Sequence, residues 1–312
     1  MRPTVAWLFP GQGSQHVGMG NALADRYPAA NDVFTKASTA LGLDLRQLCW
    51  YGPSDELSRT ENAQPAILAA SIAGLRAAEE QVGGPLPEPI AVAGHSLGEY
   101  SALVAAGPLE LYEAIQLVRK RGLLMAEAAD EGSGMAAVIG LDSDKIERAL
   151  ASSGVVIAND NAPGQVVISG PLSGIEAVTD ALKAAGAKRV IPLKVSAAFH
   201  SPSMQMVAPD LAEALKKPSW NALRYTLIAN VDAEPHEHAR EMPALLERQV
   251  WSRVRWTESI QRAAAMGATA FVEFGPGNVL TGLVKRILPE ARTANVSDPA
   301  SLEAALPLLR QV

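Results

Sequence analysis

Short apolar runs rich in β-branched residues alternate with Ala- and Leu-rich stretches of helical period along most of the chain. The runs at residues 5–9, 90–93, 135–139, 155–159, 166–169, 189–193, 225–229 and 270–273 are short, apolar and bounded by turn residues, which predicts strands. Strands that alternate with helices predict an α/β class with a largely parallel sheet. One stretch, from about 133 to 195, has its own order: MAAVIG, DSDKIERALAS, VVIAND, NAPGQ, VVISG, GIEAVTDALKAAG, KRVIPLKV. That reads β-α-β-β-α-β, the ferredoxin-like arrangement, with Asp142 and Ser143 as caps of its first helix and Gly186 closing the second. It is expected to be a subdomain inserted in a larger α/β unit, with a cleft between the two.

Within residues 109–125, Leu111, Ile115, Val118 and Met125 recur at helical spacing and predict a buried stripe. Arg119 and Arg121 flank it. Two positions along a helix differ by about 200° in direction, so only one of the pair faces a given site, and periodicity leaves open which. Either is a solvated surface charge or a fork for a carboxylate.

Composition narrows the picture. A chain of 312 residues holds one large domain or two ordinary ones. No apolar run approaches the ~18 residues of a membrane span, and residues 5–9 are too short for the core of a signal peptide. The net charge of −6 argues against a nucleic-acid partner. The single cysteine, Cys49, excludes an internal disulfide; in LRQLCWYGP, with no histidine nearby, it is expected to be a small buried hydrophobe. A cytoplasmic enzyme is the expected class.

The chemistry centres on GHSLG, residues 94–98, which follows the apolar run IAVA and precedes the helical pattern EYSALVAAG. Strand, tight turn and helix are the surroundings a nucleophile elbow requires. Glycines at 94 and 98 suit a crowded turn where a Cβ would strike the neighbouring strand or helix. Ser96 is expected to be exposed at the helix start, where the helix dipole and the Leu97 amide stabilise an oxyanion, an effect of ~3 kcal/mol per donor. A serine needs a base, and the chain offers His16, His95, His200, His236 and His238. His95 adjoins Ser96 and is expected to point away and prop the turn. His236 and His238 lie in the polar AEPHEHARE, expected to be solvated and without a third metal ligand. His16 follows a glycine-rich turn and is expected to be exposed. His200, in VSAAFHSPSM, stands where the chain re-enters the larger unit beside the cleft and is the candidate base. FPGQGSQ, residues 9–15, lacks the third glycine of a dinucleotide loop and the Gly-Lys-Ser/Thr of a phosphate loop. It is an ordinary βα turn or a close approach that makes Gln12 a second oxyanion donor.

Taken in order, FPGQGSQ, GHSLGEYSAL, VRKRGLLM, NAPGQVVISG, AAFHS, RQVWSRVRW and FGPGNVLTGLVKRI carry a resemblance from the first strand to about residue 290. The chain resembles the malonyl-CoA:acyl carrier protein transacylases and the related acyltransferase domains of polyketide synthases. The resemblance implies an α/β-hydrolase-like large subdomain over 1–132 and 196–312 and a ferredoxin-like small subdomain over 133–195. It implies Ser96 as nucleophile, His200 as base, and Gln12 with the Leu97 amide around the oxyanion. Arg121 matches the family's arginine and would grip the free carboxylate of a malonyl group. A backbone carbonyl at Gln249 would orient the histidine, so no acidic third member is needed. Met125, Asn161 and Gln64 match site-lining places, and Phe199 resembles a bulky ring that disfavours a branched methylmalonyl unit.

By the same resemblance the enzyme holds no metal or cofactor of its own. Its substrates are malonyl-CoA and the phosphopantetheine thiol of a partner acyl carrier protein, in fatty-acid or polyketide synthesis, and the chain is a cytoplasmic monomer. The rivals are an editing hydrolase of acyl carrier protein esters, an acyltransferase for another extender unit, and a carrier-binding scaffold without chemistry. Two positions depart from the family pattern: Arg253 stands where many relatives have proline, and Pro108 lies in a stretch usually free of it.

Overall fold

The computed structural model describes residues 3–195 and 197–310. Residues 1–2, 196 and 311–312, all within the spans expected for the larger subdomain, lie outside the described residues. The strands are β1 Val5–Phe9, β2 Ala91–Gly94, β3 Ser133–Ile139, β4 Val156–Ala162, β5 Gln165–Pro171, β6 Arg189–Pro192, β7 Leu227–Ile228, β8 Pro235–His236, β9 Ala270–Phe274 and β10 Arg292–Val296. They form two sheets, one ordered β10-β9-β1-β2-β7-β8 and the other β4-β5-β3-β6. The first is parallel except for β8, and the second is antiparallel throughout.

Both faces of the parallel sheet are covered, which is why β1 reads as an unbroken apolar run, VAWLF, with every residue buried. Trp7 and Phe9 pack with Phe274 on one face, at ring separations of 5.6 and 6.0 Å. Ala6 and Leu8 join Trp256 and Phe271 on the other. The helix Thr60–Val82, buried along most of its length, fills the centre of the larger core. The β3–β6 sheet has a core of its own, with Val138, Ile157, Ile168 and Leu182 among its members.

Two strands escape the sequence pattern. β8 is only two residues long, and β10, RTANV, is a largely polar edge strand whose alternation is too weak to read. The strand expected at 225–229 shrinks to Leu227–Ile228. Asp142 occupies the N-cap position of the helix Ser143–Ala149 but makes no side-chain cap bond. His236 is not solvated: it is half-buried on β8 and pairs with Glu241 at 2.7 Å and Asp232 at 3.3 Å, and these carboxylates outweigh burial and raise its pKa. His238 and His16 are exposed. Cys49 is fully buried, and burial pushes its thiol up to about 12.

The register Leu8↔Ala93 and Phe9↔Gly94 brings the C-terminal ends of β1 and β2 to the same edge. His95 N–H donates to Phe9 O at 3.0 Å, so the two following turns lie against each other. The crowding is severe. A Cβ on Gly94 would stand 1.9 Å from Gly98 C, one on Gly98 2.0 Å from Phe9 O, and one on Gly11 2.3 Å from His95 O.

The antiparallel sheet is joined to the parallel one through the segment after the helix Met242–Gln249. Val254 N–H donates to Ala158 O at 2.8 Å and Val254 O accepts from Asp160 N–H at 3.0 Å. Arg253, the departure from the family pattern, adds ion pairs to Asp160 and Glu147, both at 2.6 Å. Pro108 sits in the turn after the helix Gly98–Ala106, and its carbonyl accepts from Asn221 N–H at 3.0 Å.

Backbone atoms cannot yield as a flexible side chain can. The expected outcome of Gly98→Ala is therefore a destabilisation of about 3 kcal/mol, seen as a drop of several degrees in the thermal unfolding midpoint. An unchanged midpoint would mean that the two turns separate at little cost.

Candidate active site

A cavity of about 690 Å³ opens where the ends of β1 and β2 meet the antiparallel sheet. Ser96 stands on its floor and is only 9% exposed, more enclosed than the motif suggests. Its backbone is left-handed, φ 50°, the strained turn between β2 and the helix Gly98–Ala106. His200 is also left-handed, φ 55°. Each such non-glycine residue costs roughly 1–2 kcal/mol, which the packing around it must offset.

Ser96 Oγ and His200 Nε2 are 2.7 Å apart. His200 Nδ1 lies 2.9 Å from Gln249 O and 3.1 Å from Ser252 O. Two carbonyls can only accept, so Nδ1 carries the proton and Nε2 presents its lone pair to the serine hydroxyl. Burial, then the nearby Arg121 charge, holds His200 down at about 3, so the imidazole is neutral at ordinary pH. A neutral ring with a fixed tautomer is what a general base requires.

Arg121 is 1% exposed, and it is this arginine of the pair that enters the site. One terminal nitrogen donates to Gln64 Oε1 at 2.8 Å; the other donates to Ser96 Oγ at 3.1 Å and to Gln249 Oε1 at 3.0 Å. The guanidinium lies 5.5 Å over the Tyr100 ring. Arg119 points elsewhere, to the Glu61 carbonyl and the Asn62 side chain.

Gln12, Leu97, Met125, Asn161 and Phe199 all line the cavity. The backbone N–H groups of Gln12 and Leu97 donate to no other group among the described residues, as oxyanion donors must be free to do. The Gln12 side chain is engaged differently: its Oε1 accepts from Thr60 Oγ1 at 2.9 Å. Asn161 Oδ1 is 2.8 Å from His95 Nε2, and the His95 ring meets Trp256 edge-on at 5.4 Å. Gln64 does not line the cavity. It lies fully buried behind Arg121, held by Thr60 and Met125.

Comparison with known proteins places the chain in a family. The acyl transferase domain family matches residues 6–310. A malonyl CoA-acyl carrier protein transacylase of Escherichia coli K12 is 44% identical over 308 residues, 97% of this chain and 99% of its own. The chain belongs to the malonyl-CoA:acyl carrier protein transacylase family. Among solved members, an acyl carrier protein S-malonyltransferase from Vibrio cholerae is 43% identical with a TM-score of 0.93, covering 97% of this chain and 99% of that one. A malonyl-transacylase solved in complex with its type II polyketide acyl carrier protein is 44% identical with a TM-score of 0.93, covering 97% and 98%.

Sequence reading missed part of what holds this transacylase site together. Asn230, fully buried after β7, accepts from Ser96 N–H at 2.7 Å and donates to Gly94 O at 2.7 Å, clamping the elbow from both sides. The Gln249 side chain, not only its carbonyl, takes part: Nε2 donates to Ser96 O at 2.9 Å and to Glu99 Oε2 at 3.1 Å. Ser252 O is a second acceptor for the histidine. The one available signal was a polar residue at the end of an apolar strand, as in LIAN.

Asn230→Ala leaves a buried N–H and a buried carbonyl of the elbow unpaired, at ~1–3 kcal/mol each. Urea unfolding should register a loss of about 3 kcal/mol, and acylation of Ser96 should slow with it. Stability equal to the parent would show that the elbow holds its shape unaided.

Proposed function

We propose that the chain transfers a malonyl group from malonyl-CoA to the phosphopantetheine thiol of holo acyl carrier protein, by way of an ester on Ser96. The family assignment supports the substrates and the partner, in fatty-acid or polyketide synthesis. Support for the mechanism comes above all from one observation: the Ser96 hydroxyl is shared between a neutral His200 and the Arg121 guanidinium. His200 takes the hydroxyl proton as Ser96 attacks the thioester; the oxyanion forms towards the amides of Gln12 and Leu97; CoA leaves as its thiol with that proton. The carrier thiol then repeats the step in reverse, giving its proton to His200 and regenerating Ser96.

The acyl group keeps a free carboxylate, and of the cations lining the cavity Arg121 is the one hydrogen-bonded to Ser96 Oγ, at 3.1 Å. Ion pairing there selects a dicarboxylic acyl unit and fixes it, which leaves less freedom for attack by water. Phe199, 6% exposed beside His200, limits the width available to a branched unit. The two sheets fit a division into an α/β-hydrolase-like large subdomain, 1–132 and 196–312, and an inserted ferredoxin-like small subdomain, 133–195. The strand order β4-β5-β3-β6, with a helix after β3 and another after β5, supports it. No helix among the described residues is long and apolar enough to cross a membrane.

Intact mass after mixing with malonyl-, methylmalonyl- or acetyl-CoA should reveal a malonyl adduct on Ser96 that holo carrier protein discharges faster than buffer does. Equal discharge rates would make the chain a hydrolase instead. Arg121→Ala should lower malonyl transfer at least about a hundredfold, the weight of a charged hydrogen-bond pair, while sparing or raising acetyl transfer. Equal losses for both acyl groups would remove the carboxylate clamp.

A further inference from the structure

Glu99 is fully buried in the first turn of the helix Gly98–Ala106, and the mechanism above gives it no task. Its Oε2 accepts from Asn230 N–H at 2.9 Å and from Gln249 Nε2 at 3.1 Å. Its Oε1 has no partner among the described residues. The Gln249 amide faces two ways, because its Oε1 accepts from Arg121 at 3.0 Å. A carboxyl and a guanidinium therefore occupy the two ends of one amide. Arg121 has no direct ion pair among the described residues, yet a cation so deeply buried is costly without a balancing negative charge. Glu99 is the acid that this network supplies.

The other titratable groups around it are Tyr100 beside it on the same helix and Asp232 on the loop after β7, while His200 faces the other side of the network, next to Arg121. Burial raises Glu99 to about 7, with Asp232 adding to the rise and Asn230, Gln249 and Arg121 opposing it. It is thus poised between its charged and neutral forms near neutral pH. Before an acyl group arrives, the ionised form of Glu99 balances the one buried cation of the network. A second anion on the guanidinium would leave the network with net negative charge in a poorly solvated place, which favours proton uptake.

We propose that Glu99 is the internal counter-charge of Arg121, relayed through Gln249, and that it takes up a proton from solvent when the carboxylate of an arriving malonyl group occupies the guanidinium. This rests on the acyl-enzyme reading above. The balance is simple: the serine proton leaves on the CoA thiol, and one further proton from buffer converts the Glu99 carboxylate to the acid. A proton on Oε1 leaves both hydrogen bonds to Oε2 in place. Discharge to the carrier removes the malonyl carboxylate and returns the proton. Glu99 acts through Gln249 and Arg121, so it is a positioning residue.

The test begins with the intact mass of Ser96 and then reads proton uptake during malonyl loading in weakly buffered solution at neutral pH with an indicator dye. Acetyl-CoA and Glu99→Gln serve as controls. Difference infrared spectra with 13C-labelled malonyl-CoA, which moves the acyl bands aside, identify the group that gains the proton. The expected result is a substantial fraction of one proton per malonylated site, with a new protonated-carboxyl band, and neither on acetyl loading nor in Glu99→Gln. Malonyl loading without uptake overturns this inference alone. Uptake that persists in Glu99→Gln, or an imidazolium signature in place of the carboxyl band, assigns the proton to His200 and also overturns it. A chain that takes no malonyl mass on Ser96 overturns the acyl-enzyme reading and this inference together. The infrared band is read on the parent chain, so a Glu99→Gln variant that fails to fold does not spoil the test.

Discussion

A buried guanidinium organises this molecule's site. Arg121 is withdrawn from water, and its hydrogen bonds go to Gln64 behind it, to the Ser96 hydroxyl in front and to Gln249 beside it, whose amide also holds the Ser96 carbonyl. Charge in a poorly solvated place acts strongly on its neighbours. The same cation lowers His200, opposes the rise of Glu99 and stacks over Tyr100. Electrostatic tuning and structural satisfaction are therefore one network around Ser96.

Backbone geometry provides the second constraint. The turns after β1 and β2 approach so closely that glycines at 11, 94 and 98 stand where side chains would strike carbonyls. This contact places the Gln12 and Leu97 amides around one space and leaves Ser96 left-handed. Asn230 then fixes the turn from the neighbouring strand. The antiparallel sheet contributes the far wall, and its attachment through Val254 and Arg253 lies in the same segment that offers the Gln249 and Ser252 carbonyls to His200. Arg253 ties that segment to the antiparallel sheet by pairing with Asp160 and Glu147.

Much of this was legible in the chain. The apolar runs marked most strands because buried parallel strands carry continuous hydrophobic sequence. GHSLG between a strand and a helix marked the elbow because only that backbone path needs two glycines around a serine. The edge strands β8 and β10 were not legible, since a strand with one open side needs no apolar pattern. His236 looked solvated because its carboxylate partners, Asp232 and Glu241, could not be seen to converge on it.

By itself the sequence determined most of the local structures and the candidates for the reactive groups, for those depend on side-chain chemistry and on near neighbours along the chain. It could not separate Arg121 from Arg119 without a resemblance, nor find Asn230 and Glu99. The pairs that decide the site join residues far apart in the chain: Ser96 with His200, Arg121 with Gln249, Ser96 with Asn230. Only the tertiary structure brings them within hydrogen-bonding distance, and burial, which shifts His200 and Glu99 away from their ordinary titration, exists only once the chain has packed.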